Sequence, residues 1–138
     1  VFIQTRDPSA RTIVFAAKGK YGEFAESELA GRKECFLPPF CHLAAITVRS
    51  ENERLAENWT VMYAESLNAY AKKAAPDLMV GEAVPGAMAK ADGCFRWQIV
   101  LRSPVNSAIV GAWRWIFKVR PPPPAVRILI DIDAMNLA

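Results

Sequence analysis

The sequence predicts an α+β domain: an antiparallel-rich sheet in split β-α-β order, with two helices packed on one face. Three observations point there. The run from Gly93 to Arg102 alternates with a strict two-residue period, the mark of a half-buried strand. Two longer segments, 50–75 and 103–118, carry apolar residues at helical spacing. From Phe40 onward the elements run strand, helix, strand, strand, helix, strand.

Taken in order, Val1-Phe2-Ile3-Gln4-Thr5 reads as a strand end closed by the turn-prone Asp7-Pro8-Ser9. Val1 in place of an initiator Met suggests a chain processed or cut from something larger. Residues 11–18 suit a short helix with Ile13, Val14 and Ala17 on one side, stopped near Gly19. A second helix, about Tyr21 to Lys33, should bury Phe24, Ala25 and Leu29. Leu37-Pro38-Pro39-Phe40 then forces an extended passage, because each proline fixes φ and restricts its neighbour.

From Cys41 to Arg49 the composition turns β-like, with His42, Ala44, Ile46 and Val48 on one face. Ser50-Glu51-Asn52-Glu53 has the capping-box pattern and should open a helix reaching about Ala75, where Pro76 ends it. Its stripe is Leu55, Trp59 and Met62 with Ala56, Tyr63, Leu67 and Tyr70 beside it, a core face. Leu78-Met79-Val80 makes a short strand. Glu82 to Asp92 reads as a loop broken by Pro85 and Gly86 and carrying Lys90.

The central strand follows. Phe95, Trp97, Ile99 and Leu101 point inward; Arg96, Gln98 and Arg102 point outward, sharing their face with Cys94 and Val100. Ser103-Pro104 supplies an N-cap and a first-turn proline for the next helix. Its apolar side is Ile109, Ala112, Trp113, Ile116 and Phe117, with Arg114 and Lys118 one turn apart on an exposed face. Pro121 to Pro124 is a stiff spacer. Val126, Ile128, Ile130 and Ile132 of the last strand go inward, and Arg127, Leu129, Asp131 and Asp133 outward.

The net charge of +3 is unevenly placed. Residues 1–89 balance at −1, residues 90–127 at +6 and the last eleven at −2. A basic second half suits a polyanion partner, although a basic stripe also serves solubility. Arg and Gln on one strand face offer planar, multidentate hydrogen bonding to phosphates and base edges. The competing explanation is a solvated face on a half-covered sheet.

Several chemistries are set aside. Cys35, Cys41 and Cys94 are odd in number and unframed, which suits a reducing, cytoplasmic setting. Cys35 and Cys41-His42 match no zinc spacing, so no metal site is expected. No apolar run reaches membrane-spanning length, so no membrane partner is expected. His42 has no Ser, Asp or Cys at triad spacing, and Asp131 with Asp133 lacks a third ligand, so no catalytic residue is assigned.

Several marks occur together and in order: Phe2-Ile3-Gln4-Thr5 with Asp7-Pro8; Phe24 and Glu28-Leu29-Ala30 with Arg32-Lys33; Leu37-Pro38-Pro39-Phe40; Gly81, Pro85, Lys90 and Gly93; Arg96-Trp97-Gln98 with Leu101-Arg102-Ser103-Pro104; and Ile130-Asp131-Ile132-Asp133. On these the chain resembles the C-terminal region of the bacterial primosomal replication-restart helicases (PriA, primosomal protein N′). The resemblance implies a ferredoxin-like, ribosomal S10-like fold. It makes residues 1–10 the tail of an upstream helicase lobe, 11–39 a helical connector and 40–138 the S10-like domain. In that family the ATP/Mg-binding loop and the zinc-binding cysteines lie upstream, so no cofactor is expected in this chain. No Gly-rich Lys-Ser/Thr loop occurs here.

The family's C-terminal domain binds branched fork DNA, works among primosome proteins and helps dock the acidic tail of single-strand DNA-binding protein. DNA contacts are therefore expected at Lys90, Arg96, Gln98, Arg102 and Arg127, and partner contacts at Asn106, Arg114 and Lys118. The family's tail-holding Arg and Gln are replaced here by Asn106 and Val110, and its Asp-Val-Asp-Pro ending reads Asp131-Ile132-Asp133-Ala134. A protein-docking module, packing on the helicase lobes or taking the acidic peptide, is the second expectation, since arginine–carboxylate pairs use the same side chains.

Overall fold

A computed structural model describes residues 2–134. Its elements are α1 (Arg11–Ala17), α2 (Tyr21–Glu34), β1 (His42–Ser50), α3 (Glu53–Ala74), β2 (Met79–Val80), β3 (Val84–Ala91), β4 (Cys94–Ser103), α4 (Asn106–Val119) and β5 (Arg127–Ile132).

The sheet is built on its two longest strands. β1 and β4 pair antiparallel along their whole length, with Ile46 opposite Ile99 at the middle. β5 adds antiparallel to the free side of β1. The far side of β4 carries β2 at one end and β3 at the other, giving the order β2-β4-β1-β5 with β3 beside β4. This is the split β-α-β architecture expected, with all strands in one sheet.

Alternation decides which face is covered. Ala44, Ile46 and Val48 of β1 and Ile99 and Leu101 of β4 lose all, or nearly all, solvent contact under α3 and α4. From the helices come Tyr63, Leu67, Ile109, Ala112 and Ile116, each fully buried. The Tyr70 ring stacks on Trp115 with centroids 4.8 Å apart, which joins α3 to α4. Removing such apolar surface from water is the main force holding the two layers together.

Several local expectations are corrected. α3 and α4 each start two residues later than their serines suggest. The Ser50 hydroxyl accepts from the Asn52 amide, and Asn52 itself caps α3 by accepting from the Leu55 amide at 3.1 Å. Likewise Ser103 Oγ accepts from the Val105 amide, and α4 begins at Asn106 with Val105 as N-cap and no side-chain cap. Both serines are buried at strand ends, where a hydroxyl bonding its own chain two residues on makes a local turn rather than a helix cap.

The segment from Glu82 to Asp92 is largely a strand, not a loop. β3 pairs with β4 at Val84–Gln98 and Pro85–Trp97, then again at Lys90–Phe95 and Ala91–Cys94. Residues 86–89 form the bulge between those registers, which hides the period-2 signal. Asp92 (φ 52°) and Gly93 (φ 76°) make the reversal, both in the left-handed region that a two-residue hairpin turn requires.

Residues 2–5 form no strand, and Val1 lies outside the described residues. α2 buries nothing fully: Phe24 and Ala25 are half-buried, Phe24 meeting Phe15 of α1, and Leu29 is exposed. On α4 Phe117 is exposed, while Trp115 takes the packing place beside Tyr70. No helix among the described residues is long and apolar enough to cross a membrane.

Candidate nucleic-acid interface

α3 and α4 cover the same face, so the opposite face of the sheet is open over its middle and its arginine-rich end, while at the far end Leu43 is buried beside Leu37 and Pro38. Its side chains come from the alternate positions: Ala45, Thr47 and Arg49 of β1; Arg96, Gln98 and Arg102 of β4; Arg127, Leu129 and Asp131 of β5. Register sorts them into rows. Arg49 lies directly opposite Arg96 on one side and Arg127 on the other, so three arginines form one row across three strands. The next row is Gln98, Thr47 and Leu129, and the next Val100, Ala45 and Asp131. Arg102 lies opposite Leu43 at the other end. It lies six positions along from Arg96, about 20 Å in an extended strand.

The face is thus basic at its two ends and near-neutral between them. Gln98 Nε2 donates to Thr47 Oγ1 at 3.4 Å, a polar pair in the central row. At the arginine-rich end one carboxylate, Asp92 in the β3–β4 turn, reaches Arg96 Nη2 at 3.4 Å and Arg49 Nη2 at 3.6 Å. A shallow cleft of about 220 Å³ lies over the centre, bounded by Thr47, Gln98, Leu129 and Met88. Met88 rises there because of the β3 bulge, whose Gly86 passes so close that a Cβ would sit 3.4 Å from the Arg96 Cβ.

The DNA-contact residues expected from sequence are divided by this geometry. Arg96, Gln98 and Arg127 come together, and Arg102 shares their face at its far end. Lys90 does not join them. It is the register partner of Phe95, on the helix-side face, and its Nζ lies 4.6 Å from the Phe95 ring centroid. Asn106, Arg114 and Lys118 ride on α4, in the layer beneath the sheet. Asn106 Oδ1 is shielded without a hydrogen-bond partner, while Arg114 and Lys118 are exposed.

Arg49 is the residue that sequence reasoning missed. The signal was present: Ala44, Ile46 and Val48 inward place Arg49 outward. Val48-Arg49-Ser50 and Leu101-Arg102-Ser103 also repeat one pattern at the ends of the two central strands.

The other candidate groups form different contacts. Asp131 and Asp133 separate: Asp131 stays on the open face, whereas Asp133 turns at φ 55° and sets Oδ1 3.0 Å from His42 Nδ1. Among the described residues no hydroxyl or thiol hydrogen-bonds to that pair. The Cys41 thiol donates to the Phe36 carbonyl, and burial pushes it above the usual thiol range, with Arg102 opposing and Asp133 adding to the shift. Among the described residues no group of three His, Cys, Asp or Glu side chains converges on a point.

Residues 33–135 match the family model described as the primosomal protein N C-terminal domain. The chain is 30% identical over 137 residues to the replication restart protein PriA of Treponema pallidum, covering 99% of this chain and 20% of that one. It is 27% identical to PriA of Haemophilus influenzae, over 100% of this chain and 19% of the relative. PriA of Borreliella burgdorferi is 31% identical over 75% of this chain and 15% of its own length. The chain therefore spans about a fifth or less of the curated relatives it matches. A de novo designed protein with a ferredoxin fold superposes with a TM-score of 0.49 at 12% identity, over 69% of this chain and 86% of its own.

Proposed function

From the premise that the chain belongs to the primosomal protein N C-terminal domain family, we propose that it is the DNA-binding portion of a replication-restart protein and holds branched DNA on its open sheet face. The supporting observation is the row Arg96–Arg49–Arg127, with Arg102 about 20 Å away on the same face, half-buried at its far end. Guanidinium groups on a flat face grip phosphate oxygens without reading bases, which suits recognition of a DNA shape rather than a sequence. Gln98 and Thr47 between them add neutral hydrogen-bonding capacity along the backbone's path. Within the same proposal residues 1–10 continue an upstream helicase lobe, residues 11–39 connect to it, and residues 40–138 form the DNA-holding domain. Lys90, on the other face, would meet DNA only where the duplex wraps the sheet edge.

A second reading, docking of an acidic peptide such as the tail of single-strand DNA-binding protein, has one observation in its favour. Met88 and Leu129 are exposed apolar side chains beside the arginines, a combination that suits a peptide carrying both acidic and apolar groups. Asn106, Arg114 and Lys118 would belong to that partner surface.

Competition separates the two. Labelled forked DNA is bound to the full chain and titrated with unlabelled fork or with an acidic peptide. The fork is expected to displace the label and the peptide to leave it in place. Capture of the peptide with no binding of the fork would replace the first reading by the second.

A further inference from the structure

Three like charges in one cross-strand row are an unfavourable arrangement, since directly opposed cations repel. Strands stand about 4.8 Å apart, so the stems of Arg96, Arg49 and Arg127 rise within about 10 Å of one another. Only one carboxylate answers them among the described residues. Asp92 approaches Arg96 and Arg49 at 3.4 and 3.6 Å, and its side chain is 82% exposed. Arg127 has no carboxylate within ion-pair distance among the described residues.

The donors are also incompletely used. The Nε–H groups of Arg49 and Arg96 are shielded from solvent and have no acceptor. A guanidinium whose inner donor is dry and unpaired is costly, so turning it outward to a ligand with several acceptor oxygens is favoured. A tetrahedral phosphate offers more acceptor sites than one distant carboxylate, in a geometry that arginine forks match.

Space exists on both sides of the row. The 220 Å³ cleft by Thr47 and Gln98 lies on one side. On the other, a cleft of about 600 Å³ is bounded by Asn52, Asp92, Cys94 and Pro124. A chain of linked phosphates can cross the row from one cleft to the other with one group seated on the arginines.

We propose that Arg49, Arg96 and Arg127 form a single site for a backbone phosphodiester, and that the Asp92 carboxylate fills it until the phosphate displaces it. The inference deepens the DNA-binding reading above and rests on it. It assigns the tightest phosphate contact to this end of the face and makes Asp92 a built-in competitor.

The discriminating variant is Asp92→Asn, which removes the charge while Asn tolerates the positive φ of the turn. Asp92→Gly serves the same purpose if the amide disturbs the hairpin. In the full chain either change is expected to tighten binding of labelled forked DNA about two- to fivefold, the range spanned by an exposed ion pair. Adding Arg49→Ala to Asp92→Asn is expected to abolish the gain. Inorganic phosphate is expected to raise the melting midpoint of Asp92→Asn more than that of the parent chain.

Unchanged or weaker DNA binding by both Asp92 variants overturns the proposal; if the Arg96→Ala, Arg102→Ala pair still weakens binding, the DNA-binding reading survives that result. Absence of any effect in the arginine pair as well removes the DNA-binding reading itself. A gain confined to an acidic peptide, with DNA unaffected, assigns the row to a protein ligand and also overturns the proposal.

Discussion

Arg49 of β1 and Arg96 of β4 are direct cross-strand partners, and both hold an Nε–H that is shielded and unpaired. Such an arrangement contributes little to folding, and the proposed phosphate contacts would account for it. The expected signature is a trade-off between stability and binding. Arg49→Leu removes two like-charge oppositions and one dry donor, and it keeps an apolar stem on the sheet surface.

Its melting midpoint, measured in phosphate-free buffer, should equal or exceed that of the parent chain, while affinity for forked DNA should fall. Surface substitutions of this kind fall within about 0.5 kcal/mol of neutral, and relief of the unpaired donor biases the change upward. A drop in melting midpoint of many degrees would mean that Arg49 is structural.

A second prediction concerns pH. The Tyr63 hydroxyl donates to the Arg120 carbonyl at 2.5 Å, which ties the C-terminal end of α4 to α3. Burial raises the Tyr63 phenol above its ordinary range, with the Arg120 guanidinium acting weakly the other way. The folded chain therefore holds this proton to higher pH than the unfolded chain does. Its stabilising contribution is complete below about pH 10 and is lost as pH rises from there through the folded-state value. Tyr63→Phe should cost about 1 kcal/mol at neutral pH and remove this part of the alkaline decline. Urea unfolding at pH 7 and at pH 10 to 11 measures both; identical pH slopes for the two chains would contradict the assignment.

The three cysteines should react in an order set by their surroundings. Cys35 is exposed, Cys94 half-buried and Cys41 buried. The Cys41 thiol is also held protonated by burial and bonded to the Phe36 carbonyl. Alkylation of the native chain followed by peptide mapping should modify Cys35 first and Cys41 last, because the thiolate is the reacting form. Early modification of Cys41 would show that the 36–41 turn opens readily.

Glycine at 93 is set by backbone geometry, since φ 76° closes the β3–β4 turn. Gly93→Ala has open space for its methyl group, so only the backbone objects. The cost should be about 1 kcal/mol, seen as a lower urea midpoint with an unchanged slope. Because Asp92 sits in that turn, a shifted hairpin should also change DNA binding.

How much of this was legible beforehand follows from the kinds of signal involved. β4 was readable because Phe95, Trp97, Ile99 and Leu101 alternate with Arg96, Gln98 and Arg102, and the outward face of Arg127 follows from the same alternation in β5. The two core helices were readable from their stripes, although Thr60 joins the α3 core because its hydroxyl bonds the Ala56 carbonyl and leaves a methyl to pack.

β3 was not readable. Pro85, Gly86 and the four-residue bulge break its period, and the Asp92-Gly93 turn was the only local sign of a hairpin. The face of Lys90 was hidden for the same reason: beyond a bulge it is set by register against β4, not by a residue's own neighbours. The helix starts were shifted because Ser50 and Ser103 have the composition of caps but spend their hydroxyls on turns two residues long. The arginine row itself is a tertiary feature. It requires β1 to lie between β4 and β5, and no stretch of local sequence contains it.

The central claim is that the open sheet face holds DNA through phosphate contacts. Its most direct test is the salt dependence of forked-DNA binding, read by fluorescence anisotropy for the parent chain and for the Arg96→Ala, Arg102→Ala double variant. Removing one arginine from a duplex phosphate should reduce the slope of log affinity against log salt by about 0.9, so the variant should bind more weakly with a slope smaller by about 2. Equal affinity and equal slope for the two chains would contradict the claim.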